Sequence, residues 1–568
     1  MRRVAWVLAA AALAAACGGG GGGSGDEGKG PDRGPKRGGK LTLLWTNDVQ
    51  NVDCGATYYQ MDWLLCWSTQ RPLYNYKPGD TAMVADLAAG PPEVSADART
   101  VTVKLRDGVK FSPPVDRAVT AADVKYAIER GFFDTVNTGY AGIYFGDLRG
   151  AKVGSKPGTE IPGLEAPDPH TLVFHLTKPT GGVLAAGALA LPLTAPVPKE
   201  YAAPLDRQNP SAYGRKQLAT GPYMLAAYRP GREVKLVRNP NWLSSTDFKP
   251  AYLDEIDNLM GNTDTGVASR RVLGGHGMAT GDFAPPPDVL HGAPKDQLII
   301  TPSTGGRWIS LNTTIKPFDD INVRKAVIAG FDRNALRLTR GGAIAGGMAT
   351  HFLSPTIAGF EEAGGMKGPG LDFLNASGEP DRELSAAYFR KAGYPSGKYT
   401  GGEPIFMVGA NSGVAKEAGE IAKQQFEEMG FKVTLRQVSI DTIYSRYCTV
   451  PRAKVAVCPN VGMVADFADG QTLLDSGFNG ESIAPVQNPN FSQLDDPAIN
   501  AEMDRAKRLG SPKERAAAWA RIDRAVTAQA PAIPWLWDNT PVLQSADVHG
   551  VPSKANGGIL DLNFTWLG

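Results

Sequence analysis

The stretch RTVTVKLRDGVKF at residues 99–111, continued after a short loop by TAADV at residues 120–124, carries the reading of the fold. Residues 99–105 alternate polar and apolar side chains, the period of a half-buried strand. Asp107-Gly108 marks a tight turn, so the segment predicts a hairpin whose second arm is Val109-Lys110-Phe111. Thr120-Ala121-Ala122-Asp123 then has the capping-box form S/T-x-x-D, and Val124, Ile128 and Phe132 share one face of the helix it opens.

The same periodicities extend in both directions. KLTLLW at 40–45 reads as the first strand and TLVFHL at 171–176 as another, with His175 a structural residue of that strand. Gly221-Pro222-Tyr223 and Pro230-Gly231 are turns bracketing two strands, 224–228 and 233–238, that pair and end at Asn239-Pro240. Asp319 or Asp320 caps a helix through Val323, Ala326, Val327 and Phe331. Residues 417–429 place apolar side chains at helical spacing and stop at Gly430, after which 431–438 alternate as a strand. That order makes an α/β unit in the second half. Residues 501–529 carry two helices split by Gly510-Ser511-Pro512. No internal repeat is visible.

Composition narrows the function. Lys plus Arg number 59 and Asp plus Glu 58, so no strong field points to a nucleic-acid partner or an anionic surface. About 530 residues follow the amino-terminal region, more than one hydrophobic core supports, so two or three domains are expected.

The amino terminus reads as an address. Arg2 and Arg3 precede an apolar run, 4–16, which is shorter than the roughly 20 residues a bilayer crossing needs, so residues 1–16 predict a secretory signal peptide. Leu13-Ala14-Ala15-Ala16-Cys17 resembles the lipobox of bacterial lipoproteins, although Ala14 stands where Leu is usual. Cys17 is then the lipidation site, and residues 17–39, rich in Gly and charge, are a flexible tether with a reach of roughly 25 Å. An extracytoplasmic chain held to the cell membrane by a lipid is expected. In such a compartment disulfides persist. Cys54, Cys66, Cys448 and Cys458 allow three pairings, and their spacing favours the two local ones, Cys54 with Cys66 and Cys448 with Cys458.

Five stretches in register resemble, over essentially the whole mature length, the solute-binding proteins of ATP-binding-cassette importers known as family 5. Residues 105–111 with 120–124 are similar to the signature "LR.GVKF … TA.DV", with Ser112-Pro113-Pro114 replacing the usual "hdG". Thr220-Gly221-Pro222-Tyr223 followed by Leu236, Arg238-Asn239-Pro240 and Trp242 resembles "GTGPY … L.RNP.YW". Residues 312–318, Val323-Arg324-Lys325-Ala326 and Asp332-Arg333 resemble "LNT..pPF.D..VR.A…DR". The resemblance implies an α/β, two-lobed periplasmic-binding-protein-like fold (type II, class C) with an extra domain in the first lobe. Lobe one is expected at 40–305, with the extra domain within about 86–200, lobe two at 306–538, and a carboxy-terminal return to lobe one at 539–568. The hinge is then crossed near 305 and 540.

It also implies a clamp that captures peptides, or a related solute, between the lobes and delivers them unaltered to a membrane permease and its ATPase. The best ligand anchor is Asp466 in VADFADG at 464–470, a segment similar to the family's "W.aDy.DP", whose first Asp pairs with the free α-amine of bound peptides. Gly462 or Met463 stands where that motif has Trp, and Gly470 replaces Pro. An Asp that merely caps a helix beginning near Asp469 is the alternative. Tyr58, Tyr59, Trp63, Trp308, Trp535 and Trp537 are the aromatic candidates for the cleft walls, since one end of such a ring is apolar and the other donates a hydrogen bond. Oligosaccharide, opine or metal-chelate cargo on the same fold is the alternative reading. A secreted hydrolase would need a G-x-S-x-G elbow, an H-E-x-x-H helix or a P-loop, and none is present. The six histidines stand singly, and no catalytic residue, metal site or cofactor is expected. The expected working unit is a monomer.

Overall fold

The computed structural model describes residues 34–568 apart from 58, 59, 137 and 486. The expected signal peptide, Cys17, most of the tether, Tyr58 and Tyr59 therefore lie outside the described residues.

Lobe one is built on a five-stranded sheet in the order Met278–Thr280, Lys40–Leu44, Glu255–Leu259, Glu233–Arg238, Tyr223–Arg229. The first three strands are parallel and the last two continue antiparallel. Leu41 and Leu43 are fully buried on this sheet, as the alternation of 40–45 requires. A separate antiparallel sheet, Glu93–Val94, Thr100–Lys104, Thr171–His175, Leu164–Asp168, forms the extra domain and shares the hydrophobic core of lobe one.

The expected hairpin at 99–111 does not form. Thr100–Lys104 pairs with Thr171–His175 instead. Gly108 makes the turn, at φ +84°, but the segment beyond it folds back on itself, with the Val119 N–H donating to the Val109 carbonyl at 2.9 Å. Alternation identifies a strand and leaves its partner open, and here the partner lies farther along the chain. The capping box is present: the Thr120 N–H donates to Asp123 Oδ2 at 2.8 Å at the start of helix Ala121–Arg130.

Lobe two carries a six-stranded sheet in the order Gly346–Gly347, Ala532–Leu543, Leu298–Leu311, Val457–Val464, Ile405–Ala410, Val433–Val438. Ile405–Ala410, helix Gly413–Glu428 and Val433–Val438 form the α/β unit, its two strands parallel. Both faces of this sheet are covered. Ile309, Met407 and Val457 point into one core, while their neighbours Trp308, Val408 and Cys458 point into the other, as the two-residue period dictates.

The two longest strands, Leu298–Leu311 and Ala532–Leu543, run antiparallel. Their pairing is regular from Leu298 opposite Leu543 to Pro302 opposite Asn539, breaks, and resumes at Gly306 opposite Trp537. Beyond it, Gln544 bridges to Ala279 in the sheet of lobe one. The chain that follows stays there: Val548, Leu560 and Leu562 enter the core of lobe one, and Asn563 Nδ2 donates to the Trp67 carbonyl at 3.1 Å.

Candidate functional site

Strand Val457–Val464 ends against Gly305, its register partner. The next five residues, 465–469, decide the chemistry of the site. Asp469 Oδ1 accepts from the Gln471 N–H at 3.0 Å at the start of helix Gln471–Phe478, and the same carboxylate receives Arg515 Nε at 2.8 Å and Nη2 at 2.9 Å. Capping and ion pairing both fall to Asp469. Asp466 is thereby free of any capping duty, and the two carboxylates cannot serve as a glycosidase pair, since one is already committed to a buried guanidinium.

Asp466 meets the extra domain. Helix Gly139–Phe145 is capped by Thr138, whose side chain accepts from the Tyr140 N–H at 3.3 Å. Tyr140 and Tyr144, four residues apart, lie on one face, with stacked rings whose centroids are 6.1 Å apart. The Tyr140 hydroxyl donates to Asp466 Oδ1 at 3.2 Å, and the Tyr144 hydroxyl donates to Oδ2. Burial pushes the Asp466 carboxyl up to about 6 from 3.8, and the two tyrosine hydrogen bonds pull it back only in part. A carboxylate in this setting is suited to a cation that brings hydrogen-bond donors with it.

Trp63, from helix Gln60–Thr69, packs at 5.6 Å from the Tyr140 ring and edge-on at 5.3 Å to Trp67. It is 2 % exposed, and its indole N–H finds no acceptor among the described residues. Next to Asp466, Phe467 leaves its own lobe altogether: it is 1 % exposed within the core of lobe one, 5.1 Å from Tyr144. Gly187 lets it in, because a Cβ there would stand 2.4 Å from the phenyl ring.

The other aromatic candidates sit inside lobe two. Trp308 packs edge-on to Phe352 at 5.6 Å and near Phe478 at 5.9 Å. Trp535 is fully buried in the core on the other face of the sheet. Trp537 packs with Phe360 and His351, at 4.9 and 5.0 Å. Of the sequence-derived aromatics that are described, Trp63 is the one packed against Tyr140, which bonds Asp466. Tyr140 and Tyr144 went unnoticed in the sequence, where their only signal is the i, i+4 aromatic spacing. Cys54–Cys66 and Cys448–Cys458 are both bridged. Among the described residues no group of three or more His, Cys, Asp or Glu is arranged to hold a metal ion, and no helix is long and apolar enough to cross a membrane.

The sequence model of the bacterial extracellular solute-binding proteins, family 5 (middle), matches residues 82–483. The di/tripeptide-binding protein 1 of Pseudomonas aeruginosa is 25% identical over 480 residues, 81% of this chain and 82% of its own length. The oligopeptide-binding protein OppA of Bacillus subtilis is 25% identical over 435 residues, 73% of this chain and 74% of its own. The solved structure of the clavulanic acid biosynthesis oligopeptide binding protein 2 superposes with a TM-score of 0.82 at 26% identity, covering 94% of this chain and 96% of the other. With a two-lobed fold, a carboxylate held where the lobes meet and a family match across most of its length, this chain belongs to the family 5 bacterial extracellular solute-binding proteins.

Proposed function

We propose that this protein captures a peptide between its two lobes by hinge closure and hands it, chemically unaltered, to the permease and ATPase of an ATP-binding-cassette importer. One observation carries the reading: Asp466, from lobe two, is grasped by Tyr140 and Tyr144 of lobe one. A carboxylate at this junction is positioned to read a ligand ammonium only when the lobes are together, which couples recognition to closure. Relatives named for binding di-, tri- and oligopeptides support peptide as the cargo. A charge-assisted hydrogen bond to the ammonium contributes roughly 1.5–3 kcal/mol.

In this reading lobe one comprises residues 40–305, with the extra domain within about 86–200, lobe two 306–538, and the tail 539–568 returns to lobe one. The break in strand pairing between Pro302 and Gly306 supports a hinge near 305 and 540, because unpaired backbone absorbs rotation at low cost. The chain works as a monomer, tethered outside the cell membrane through lipidated Cys17.

Calorimetric titration of di- to hexapeptides tests the function. Binding by the wild type and a 10- to 100-fold weaker affinity in Asp466→Ala are expected. An unchanged dissociation constant would remove Asp466 as the anchor, and mass spectrometry returning a cleaved peptide would overturn the transport reading.

A further inference from the structure

The loop Ser112-Pro113-Pro114, where the chain departs from its family's pattern, walls a recess of about 320 Å³. That volume lies within the range of small-molecule sites. Its lining residues fall between Ser112 and Tyr228 and include none of Tyr140, Tyr144 and Asp466, so the recess stands apart from the junction of the lobes.

The walls are fixed by contacts that involve no ligand. Ser112 and Ala219 are tied twice: the Ser112 N–H donates to the Ala219 carbonyl at 2.8 Å, and the Ala219 N–H donates to Ser112 Oγ at 3.0 Å. Asn241 Nδ2 donates to the Phe111 carbonyl at 2.7 Å and holds the root of the same loop. Pro113 and Pro114 have no N–H, so this wall offers ring carbons and leaves no donor orphaned. Tyr201, from helix Lys199–Asp206, packs edge-on to Tyr213 at 6.4 Å, and Tyr213 opens the turn Tyr213–Lys216. A further side is strand Tyr223–Arg229, the outer strand of its sheet, in which Ala226 has no register partner between Leu225 and Ala227. A bulge of this kind bends the strand and interrupts its ladder.

The charge in the recess has one sign. Arg215 and Lys216 line it, and no Asp or Glu does. Both cations are exposed, and neither makes an ion pair or hydrogen bond among the described residues. The carboxylates of the surrounding segments are spent elsewhere. Asp48 receives the Gly231 N–H at 2.7 Å and the Tyr228 hydroxyl at 3.3 Å, Asp116 receives Asn241 Nδ2 at 2.6 Å, and Glu200 pairs with Arg117 at 2.6 Å. The Tyr201 hydroxyl also has no partner among the described residues.

A lone cation on a surface is ordinary, whereas two that share a recess with a free phenol and two proline rings form a receptor for an anion. Because Arg215 and Lys216 are consecutive, they place two charges on one short turn, which suits a single doubly charged group better than two separate carboxylates. A phosphate monoester carries about −1.5 to −2 at pH 7 and offers three acceptor oxygens, enough for a guanidinium, an ammonium and a phenol. A phosphodiester, as in a lipid headgroup, brings a single charge.

We propose that this recess is a second ligand site, independent of the peptide cleft, that takes a small organic phosphate monoester. Arg215 and Lys216 hold the phosphoryl group, the Tyr201 hydroxyl donates to it, and the organic part rests on Pro113, Pro114 and Met224.

Calorimetric titration of phenyl phosphate into the full-length protein tests this. The wild type should bind it at least 10-fold more tightly than inorganic phosphate, because only the ester buries apolar surface on the prolines. Arg215→Ala and Lys216→Ala should each weaken binding at least 10-fold, and both side chains are exposed, so these variants keep the fold. In Asp466→Ala the affinity for phenyl phosphate should be unchanged. No binding by the wild type, equal binding of the ester and inorganic phosphate, or full binding by the Arg215→Ala, Lys216→Ala double variant overturns the site. Loss of phenyl phosphate binding in Asp466→Ala would put the ester in the peptide cleft and overturn it as well. Retention of the protein by phosphatidylglycerol vesicles without any binding of phenyl phosphate would overturn it in favour of a lipid headgroup. None of these outcomes depends on whether the cleft takes a peptide.

Discussion

The Tyr144 hydroxyl donates a hydrogen bond to Asp466 Oδ2, joining residues 322 positions apart in the chain and on opposite lobes. Tyr140 repeats the contact on Oδ1, so one carboxylate is satisfied from across the cleft on both of its oxygens. Separating the lobes would return that carboxylate to water. Closing them without a counter-ion moves it into a setting that disfavours its charge, and a ligand ammonium reverses the preference. In the proposed clamp, closure and the protonation of Asp466 are thus linked.

That linkage has a definite sign. With its carboxyl raised from 3.8 to about 6 in the closed form, Asp466 favours empty closure fully below pH 3.8, and the contribution fades as pH rises through about 6. Binding an ammonium ligand demands the ionised carboxylate, so at pH 5 binding must release a proton and affinity should be about 10-fold lower than at pH 7.5. Titration calorimetry in two buffers of different ionisation enthalpy reads the released proton directly. In Asp466→Asn both the proton and the pH slope should vanish. A flat affinity profile in the wild type would break the link.

Phe467, of lobe two, is buried in the core of lobe one against Gly187. Truncating a fully buried phenylalanine costs about 3–5 kcal/mol. Here most of that loss falls on lobe contact, because the ring is buried in the core of the other lobe. Phe467→Ala should therefore leave each lobe folded but enlarge the radius of gyration of the unliganded protein in solution scattering. Gly187→Ala should do the same by collision with the ring, at a 2.4 Å approach. Unchanged scattering curves for both variants would show that the lobes are held elsewhere.

How much of this was legible in the sequence depends on distance along the chain. The capping box at Thr120 and the α/β unit from Ile405 to Val438 are set by residues within a few turns of one another, and periodicity finds them. The partner of Thr100–Lys104 is not local, so alternation predicted a hairpin that the fold does not make. VADFADG singles out Asp466 as the anchor and leaves helix capping as its alternative. Arg515, 46 residues beyond Asp469, commits that carboxylate to the scaffold, and Tyr144, 322 residues before Asp466, brings the other against lobe one.

The division of labour between the two aspartates predicts opposite phenotypes. Asp469 and Arg515 form a buried pair, their side chains 11% and 2% exposed. Removing one partner of such a pair costs about 3–5 kcal/mol, because the other charge is left without compensation. Asp469→Ala should lower the unfolding midpoint sharply, and any protein that remains folded should bind ligand normally. Asp466→Ala relieves a desolvated carboxylate, so its midpoint should hold or rise while affinity falls. Differential scanning fluorimetry with and without peptide separates the two, and a stability loss in Asp466→Ala equal to that in Asp469→Ala would contradict the assignment.

The two disulfides should separate along the same line. Cys54–Cys66 and Cys448–Cys458 close loops of 12 and 10 residues, each stabilising by roughly 3 kcal/mol through the entropy of the unfolded chain. Replacing either pair by serine should therefore lower the unfolding midpoint by a similar amount. Their effects on binding should differ, because Cys448 and Cys458 line a cavity of lobe two walled by the strand that leads to Asp466, whereas Cys54–Cys66 ties the preceding chain to the helix that carries Trp63. Loss of Cys448–Cys458 loosens the wall of that cavity, so peptide affinity should fall further than on loss of Cys54–Cys66. Equal losses of affinity for the two variants would mean that Cys448–Cys458 supports the fold of lobe two without shaping the cavity.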